Sequence, residues 1–247
     1  MKTLYFITGT SSGIGNALTN HILSTDQNVL IEGISRTQTI HHQNYKHHTF
    51  DLSEIDNLIG FFGKLDLEKR IKTKIDKVVL INNAGTLGEV GYVGKISSQD
   101  IIQTMNINTI APFILMNEFL HTFDTDAFGN IEKVIINITS SASQRPTDGW
   151  SVYCASKAGL NLFGEVIKEE EKILHQNTQI FNVSVGVVDT NMQAQIRKTK
   201  QKEFSNVEHF KDLKKNNELA KPEFIAEKIY SIIQNPQNYE DIWQKLQ

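Results

Sequence analysis

The stretch TLYFITGTSSGIG, Thr3 to Gly15, decides the fold of this chain. Its first six residues are apolar or β-prone, which is typical of a buried strand. Glycine then recurs at Gly9, Gly13 and Gly15, where a tight turn, a close ligand and a helix packed on the sheet each require a residue without a side chain. A helix that begins here directs its free N–H groups and its positive dipole end at the turn. The sequence therefore predicts a phosphate-binding loop between a strand and a helix.

Short runs rich in valine and isoleucine alternate with longer helical patterns along the chain. Several runs are continuously apolar, which is typical of strands covered on both faces of a parallel sheet. The alternation predicts one α/β domain, residues 1–247, with a doubly wound parallel sheet. The predicted strands are Thr3–Thr8, Asn28–Ser35, Lys46–Phe50, Lys77–Asn82, Ile131–Thr139, Gln179–Val187 and a short one near Tyr239–Trp243. The predicted helices are Gly13–Ser24, Ser53–Lys74, Ser98–Thr122, Val152–His175 and Pro222–Ile233.

One segment departs from this alternation. Residues 191–217 have a helical pattern but are rich in Lys, Gln and Asn, and they lie between the sixth strand and the last helix. Loops at the carboxyl ends of the strands form the ligand crevice of an open α/β sheet. We therefore expect this helical insertion to form part of the substrate site, and we hypothesise that it closes as a lid. A solvated helix face is the alternative explanation of its lysines.

The composition argues against several classes of protein. The chain has 25 Lys and Arg against 28 Asp and Glu, a net charge of −3, which argues against a nucleic-acid partner. No stretch approaches the roughly 18 uninterrupted apolar residues of a membrane span, and the N-terminal stretch lacks a signal-peptide core. Cys154 is the only cysteine, which fits a reducing cytoplasm. No metal site is expected from the loop histidines, His41, His42, His47 and His48.

The second predicted strand ends in Ser35-Arg36-Thr37. An acidic residue at this point would accept hydrogen bonds from an adenosine ribose and select NAD. Serine followed by arginine suits a 2′-phosphate instead. The sequence thus predicts NADP(H) with Arg36 on the phosphate, and a plain surface role for this arginine is the alternative.

A tyrosine and a lysine stand four residues apart, Tyr153 and Lys157. In a helix, such a pair lies on one face with Cβ atoms roughly 5–6 Å apart. A free tyrosine titrates at about 10. A fixed ammonium favours the phenolate, so we expect Lys157 to lower the pKa of Tyr153 towards neutrality, where the phenol can act as acid or base. Two ordinary residues on a helix surface are the alternative, because this spacing is common.

Three further motifs accompany this pair. NNAG closes the fourth strand at Asn82–Gly85, NTIAPF follows at Asn108–Phe113, and Ser140 stands thirteen residues before Tyr153. With TGTSSGIG, these motifs occur in one order across nearly the whole chain. In this the sequence resembles the short-chain dehydrogenase/reductase family, whose members share a Rossmann fold. The resemblance implies an NADP(H)-dependent enzyme acting on a CH–OH or C=O group.

The resemblance also implies roles for individual residues. The catalytic set it implies is Ser140, Tyr153, Lys157 and Asn108. The cofactor-binding residues it implies are Gly9, Ser11, Gly13, Ile14, Gly15, Asp51, Leu52, Asn83, Ala84, Gly85, Tyr153, Lys157, Val188 and Thr190. In such a site Tyr153 protonates the carbonyl oxygen and Ser140 donates to it, while Asn108 holds a water that links Lys157 to solvent.

Finer likeness points to one branch of the family. GWSVYCASKAG at 149–159 and DTNMQ at 189–193 are similar to sepiapterin reductases, and closer to bacterial relatives described as benzil reductases forming (S)-benzoin. The resemblance implies reduction of one carbonyl of a small diketone such as benzil, or of a pterin-like ketone. Trp150, Met192 and Gln193 are the candidate substrate-binding residues. For Trp150, packing beneath the loop is the alternative.

A second function stays open at this point, a non-catalytic NADP(H)-binding sensor or scaffold on the same fold. Such a protein would not need Ser140, Tyr153, Lys157 and Asn108 together. By analogy with relatives, we expect a homodimer or homotetramer that pairs through the helices near Ser98–Thr122 and Val152–His175.

Overall fold

The computed structural model describes residues 1–65, 67, 74–124 and 131–247. Within them, a seven-stranded parallel sheet runs in the order β3-β2-β1-β4-β5-β6-β7. Its strands are β1 (Thr3–Thr8), β2 (Val29–Ser35), β3 (Tyr45–Thr49), β4 (Lys77–Asn82), β5 (Glu132–Thr139), β6 (Thr178–Ser184) and β7 (Trp243–Lys245). The strand order reverses between β1 and β4, which opens a crevice at their carboxyl ends. The predicted doubly wound α/β fold is confirmed.

Helices flank the sheet and are numbered along the chain. They are α1 (Gly13–Thr25), α2 (Phe61–Lys64), α3 (Ser98–Met105), α4 (Ala111–Phe123), α5 (Ser151–Ile173), α6 (Asn191–Lys198), α7 (Val207–Lys215) and α8 (Pro222–Gln234). A π-helical turn, Asn106–Ile110, joins α3 to α4. The helix predicted over Ser98–Thr122 is therefore one continuous rod with a local bulge, a feature often found at functional sites.

Both faces of the central strands are covered, which explains their continuous apolar runs. Every residue of β1 and of β4 is buried. On one face Phe6 packs edge-on against Phe119, with ring centroids 6.4 Å apart. On the other face Tyr5 belongs to a cluster with Ile22 of α1 and Ile229 of α8. Two apolar layers thus hold the sheet rigid beneath the crevice.

The helix predicted over Ser53–Lys74 is wrong at its start. A 3₁₀ turn, Ile55–Leu58, precedes α2, and the two are separated by Gly60 with a φ of 71°. A residue in the left-handed region interrupts a right-handed helix, and glycine adopts that region readily. Residues 66 and 68–73 of the predicted range lie outside the described residues.

Two strand boundaries also differ from prediction. The sixth strand ends at Ser184 instead of Val187, because Gly186 has a φ of 72° and turns the chain out of the sheet. The last strand begins at Trp243, where the expectation placed its end. A 3₁₀ turn at Pro236–Asn238 occupies the preceding segment.

The insertion at 191–217 folds into α6 and α7 with a turn between them. Ile196, Phe204 and Val207 from it are buried in a cluster with Trp150 and Tyr153. Its lysines are exposed, as the solvated-face explanation predicts; they are Lys198, Lys200, Lys202, Lys211, Lys214 and Lys215. The insertion therefore has an apolar side against the domain and a basic side in water.

Two of the four histidines, His47 and His48, lie on β3 and have partners of other kinds. His47 lies 3.1 Å from the Tyr45 hydroxyl, and His48 meets the Glu32 carboxylate at 2.5 Å. Within the described ranges, no three His, Cys, Asp or Glu side chains come together as metal ligands. No helix in the described ranges is both long enough and apolar enough to cross a bilayer.

Candidate active site

A cavity of about 920 Å³ opens at the carboxyl end of the sheet, and loops after β1, β2, β3, β4, β5 and β6 form its wall. The predicted site residues on this wall are Gly9, Ser11, Gly13, Ile14, Arg36, Asp51, Leu52, Asn83, Ala84, Gly85, Ser140, Trp150, Tyr153, Lys157, Val188, Thr190, Met192 and Gln193. Gly15 and Asn108 are not on the wall itself, but each contacts residues that are: Gly15 lies against Gly9 and Asn83, and Asn108 bonds Thr86. Residues far apart in sequence thus meet at one cavity.

The glycine loop is built as its sequence indicates. Gly9 and Gly13 have φ angles of 74° and 57°, which glycine adopts without strain. A Cβ on Gly15 would lie 2.3 Å from the Gly9 carbonyl oxygen and 2.4 Å from Asn83 Nδ2. Only glycine therefore lets α1 begin this close to the sheet. Ser12, just before α1, makes no capping hydrogen bond with its side chain, which leaves the first-turn N–H groups for an anion.

Thr8 ties the ends of β1 and β4 together. Asn83 Nδ2 donates to the Thr8 carbonyl oxygen at 2.8 Å, and the backbone N–H groups of Asn83 and Ala84 both donate to Thr8 Oγ1 at 3.0 Å. This brace sets the width of the crevice at the point where the strand order reverses. Sequence reasoning missed Thr8, although its place as the first residue of TGTSSGIG was the available signal.

The ends of β2 and β3 bring a cation and an anion to one end of the cavity. Arg36 and Asp51 both line it. Asp51 accepts hydrogen bonds from the Ser53 backbone N–H at 2.9 Å and from Ser53 Oγ at 2.8 Å. These bonds, together with the Arg36 charge, hold the pKa of Asp51 below its usual range. An ionised carboxylate and a guanidinium that acts on it electrostatically thus line the same cavity.

The proposed catalytic residues meet at the start of α5. Tyr153 and Lys157 are buried on its first turns, and Ser140 hydrogen-bonds Tyr153. Lys157 Nζ donates to the Ile138 carbonyl oxygen at 2.9 Å. A Cβ on Gly85 would lie 3.4 Å from Lys157 Nζ. The glycine therefore lets the loop after β4 approach the ammonium closely.

Asn108 supports this centre from the π-helical turn. Its Nδ2 donates to the Thr86 carbonyl oxygen at 2.8 Å and to Ser156 Oγ at 3.0 Å, and its Oδ1 accepts from the Thr86 N–H at 2.8 Å. Both amide hydrogens are used by the protein, and Oδ1 keeps one lone pair. Asn108 thus fixes the loop after β4 against α5, and Thr86 is a partner that sequence reasoning did not find.

Burial controls the electrostatics of the pair. Burial raises the pKa of Tyr153 to about 12, against the opposing effect of the Ser140 hydrogen bond. Burial also lowers the pKa of Lys157 to about 8. The prediction that the pKa of Tyr153 is lowered is therefore wrong, because removing the phenol from water penalises its anion more than the Ser140 hydrogen bond favours it. At neutral pH the phenol is protonated and most of the lysine is charged.

A row of buried asparagines anchors α5 to the sheet. Asn82, Asn137 and Asn182 lie in register on β4, β5 and β6. Asn82 donates to Asn137 at 2.9 Å, Asn137 donates to Asn182 at 3.1 Å, and Asn182 donates to the Asn161 carbonyl oxygen at 3.0 Å. Since Asn161 follows Lys157 by one turn, the row fixes the depth of the helix. The sequence analysis did not foresee this row.

Aromatic rings form the other end of the cavity. Trp150 is 8% exposed, stacks on Phe204 with centroids 4.9 Å apart, and meets the Tyr153 ring edge-on at 5.9 Å. Phe210 packs on Trp150 at 5.4 Å and also lines the cavity. Trp150 packs beneath the insertion and also lines the cavity, and its role as a substrate-binding residue stays a prediction. Phe204 and Phe210 were missed, although with Val207 they are apolar positions at helical spacing in a polar segment.

Polar contacts fasten the insertion to the domain. Gln195 Nε2 donates to the Gly88 carbonyl oxygen at 2.9 Å. The Asp148 carboxylate accepts from the Ser205 N–H at 2.8 Å and from its hydroxyl at 3.0 Å. Gly149 has a φ of 74°, and a Cβ there would lie 2.4 Å from the Glu203 carbonyl oxygen. The insertion forms part of the cavity wall, and both its place in the substrate site and its closure as a lid stay predictions.

The chain combines a doubly wound parallel sheet, a glycine loop before α1, and a Ser with a buried Tyr and a buried Lys at one cavity. This combination is typical of nucleotide-dependent oxidoreductases. The chain belongs to the short-chain dehydrogenase/reductase family. The family model described as short chain dehydrogenase matches residues 3–201.

Comparisons with individual proteins agree with this family assignment. The chain is 34% identical over 237 residues to a benzil reductase ((S)-benzoin forming) of Bacillus cereus, which covers 92% of each chain. It is 30% identical over 163 residues to the sepiapterin reductase of Bos taurus, 65% of this chain and 58% of that protein. A solved 4-hydroxyisoleucine dehydrogenase complexed with NADH has a TM-score of 0.80 and 23% identity, over 99% of this chain and 96% of that chain. That last likeness shows the fold alone.

Proposed function

We propose that the protein is an NADPH-dependent carbonyl reductase that reduces one carbonyl of a small diketone such as benzil, or of a pterin-like ketone. The observation that carries the proposal is the shared cavity, whose wall contains the glycine loop together with Ser140 and the buried side chains of Tyr153 and Lys157. The similarity to a benzil reductase over 92% of both chains supports the diketone class.

The cavity fits a nicotinamide dinucleotide. Its glycine loop has no side chain at Gly9 or Gly13, and the uncapped start of α1 suits a pyrophosphate. Thr190 stands opposite Gly13, with its methyl group 3.3 Å from the position of a Cβ there. We assign Arg36 to the 2′-phosphate and therefore favour NADP(H) over NAD(H). When bound, NADPH supplies the hydride.

The protein supplies the proton and stabilises the charge. Tyr153 is protonated at neutral pH, which is the form that a proton donor needs. Ser140 donates to the same carbonyl oxygen as negative charge grows on it, and the Lys157 ammonium stabilises the phenolate that remains. The free lone pair of Asn108 Oδ1 is the position for a water that restores the proton.

The test is NADPH consumption with a panel of benzil, other 1,2-diketones, sepiapterin and simple ketones. We expect turnover of a diketone or of sepiapterin, and about a 10³-fold slower reaction in Tyr153→Phe, since a positioned general acid contributes about 10²–10⁴-fold. NADPH binding, followed by fluorescence, is expected to persist in this variant, because the other cofactor-binding residues are unchanged. Equal turnover by Tyr153→Phe would contradict the mechanism. Tight NADPH binding without turnover of any ketone would favour the sensor.

An exposed apolar strip on α5 supports the proposal that the protein pairs with a second copy. Leu162 is 62% exposed and Val166 is 46% exposed, and they lie one turn apart on the same helix face. Ile102 of α3 is 54% exposed. We propose a homodimer or homotetramer that buries this strip. Light scattering is expected to give a dimer or tetramer mass that Leu162→Glu with Val166→Glu reduces to a monomer.

A further inference from the structure

Gln193 presents a buried hydrogen-bond donor that has no acceptor among the described residues. The side chain lies in the first turn of α6, is 2% exposed and lines the cavity. Its Oε1 accepts a hydrogen bond from Arg197 Nη1 at 2.5 Å. Its Nε2 makes no hydrogen bond in the described chain. A buried N–H group without an acceptor is costly, so such groups usually serve a bound partner.

Arg197 determines which way the amide faces. A guanidinium carries only donors, so it can pair with the oxygen of Gln193 and not with the nitrogen. Arg197 follows Gln193 by four residues on α6, which places both on one face of the helix. The pair therefore holds the NH₂ group away from Arg197 in a fixed orientation, ready for an acceptor.

The helix neighbours of this donor belong to the same apolar cluster as the proposed reacting group. Met192 and Ile196, which flank Gln193 on α6, pack with Trp150 and Tyr153. Trp150 Nε1 is a second buried donor that lacks an acceptor within the described residues. A ketone bound at Tyr153 would therefore contact an apolar wall that also holds two N–H donors, Gln193 Nε2 and Trp150 Nε1.

We propose that Gln193 Nε2 binds a second acceptor oxygen of the substrate, adjacent to the carbonyl that is reduced, and that Arg197 positions the amide for it. The inference rests on the proposed function, because it assumes that Tyr153 receives the reacting carbonyl. It deepens that function by selecting vicinal dicarbonyl compounds over ketones with one oxygen. A site built to bond a substrate oxygen discriminates strongly against the analogue that lacks it, because its own polar group is then left unpaired.

The experiment compares two substrates with one skeleton. Benzil has two adjacent carbonyls, and deoxybenzoin has a CH₂ in place of the second. In Gln193→Met, which keeps the length and removes the donor, we expect kcat/KM for benzil to fall about tenfold and that for deoxybenzoin to change less than about threefold. Most of the loss is expected in KM, since the second oxygen keeps its charge during the reaction.

Three further variants separate specific from structural effects. Gln195→Met is the matched control, since Gln195 also lines the cavity but its Nε2 already bonds Gly88. It is expected to leave the benzil to deoxybenzoin ratio unchanged. Arg197→Lys keeps a donor for Oε1 and is expected to retain most of the ratio. Arg197→Met is expected to lower the ratio, because the amide is then free to turn.

The outcomes distinguish this inference from the function on which it rests. Wild-type turnover combined with an unchanged ratio in Gln193→Met, or with equal losses on both ketones, overturns the inference alone. A wild type that binds NADPH and reduces neither ketone overturns the proposed diketone reduction and this inference with it. NADPH affinity, measured for each variant, shows that a lost ratio does not come from a misfolded chain.

Discussion

The cofactor end and the substrate end of the cavity differ in the kind of atoms that form them. The cofactor side consists of the glycine loop and the brace between Thr8 and Asn83, where backbone atoms and short side chains approach closely. The substrate side consists of Trp150 and the insertion, where large side chains pack across a chain separation of more than fifty residues. Backbone geometry leaves little freedom for substitution, whereas packed side chains can be exchanged. We therefore expect cofactor binding to be rigidly encoded and substrate choice to be adjustable.

The most damaging change on the substrate side is expected to be Phe204→Ala. Phe204 is fully buried and stacks on Trp150, so its removal leaves a cavity beneath the indole. Truncation of a buried phenylalanine typically costs about 3–5 kcal/mol. We expect the free energy of unfolding to fall by about that amount, and the 191–217 segment to be cleaved faster in limited proteolysis. The KM for the ketone should rise while NADPH affinity stays within about threefold, because the glycine loop and the brace between Thr8 and Asn83 share no side chain with this cluster.

Phe224→Ala is the matched control for this truncation. Phe224 loses the same atoms but is 48% exposed on α8. A similar loss of stability in both variants would show that burial of Phe204 is not what holds the insertion. A large loss of NADPH affinity in Phe204→Ala would show that the two sides are not independent.

On the cofactor side, Gly15→Ala is expected to be the next largest effect. Its Cβ would lie 2.3 Å from a backbone oxygen and 2.4 Å from Asn83 Nδ2, which is itself held by Thr8. Overpacking of this kind costs about 1–3 kcal/mol. We expect that loss in chemical denaturation, with weaker NADPH binding. Gly63→Ala in α2 is the control, since nothing lies within 4 Å of its Cβ position, and it should be neutral or slightly stabilising.

The pH dependence of reduction tests the region where the two sides meet. The pKa of Lys157 is about 8, so its ammonium is present below that pH and is lost as the pH rises through it. Tyr153, with a pKa of about 12, stays protonated across this range. We therefore expect kcat/KM to fall above about pH 8, approaching tenfold per pH unit as for the loss of one proton.

Lys157→Arg tests whether the decline in kcat/KM above about pH 8 comes from the loss of the charge on Lys157. Arginine stays charged at every accessible pH, so whatever activity this variant retains should show no decline near pH 8. The same decline in the variant would assign it to a group other than Lys157. Lys157→Met should lose most activity across the whole range.

Features of the fold that depend on the local sequence could be predicted, and features that depend on contacts between distant parts of the chain could not. The bounds of β1 and β4 are as predicted, because each is a continuous apolar run that ends at a turn signal. The row from Asn82 to Asn182 was not foreseen, since register between strands is decided by tertiary packing. The rise in the pKa of Tyr153 was also missed, because the i, i+4 spacing shows the neighbouring lysine but not the burial of the ring.

The smallest expected effect concerns the choice of cofactor, where the cofactor side uses a side chain instead of backbone. Arg36 lines the cavity but is exposed, and it stands beside the ionised Asp51. The proposed contact between Arg36 and the 2′-phosphate is an exposed ion pair, which contributes at most about 1 kcal/mol. Arg36→Ala should therefore lower the NADPH to NADH preference only about fivefold. The measurement is kcat/KM for each cofactor at low and high salt, since screening should shrink the difference. Arg145→Ala, an exposed arginine elsewhere on the same wall, is the control and should leave the preference unchanged. An unchanged preference in Arg36→Ala would contradict the assignment of this arginine to the 2′-phosphate.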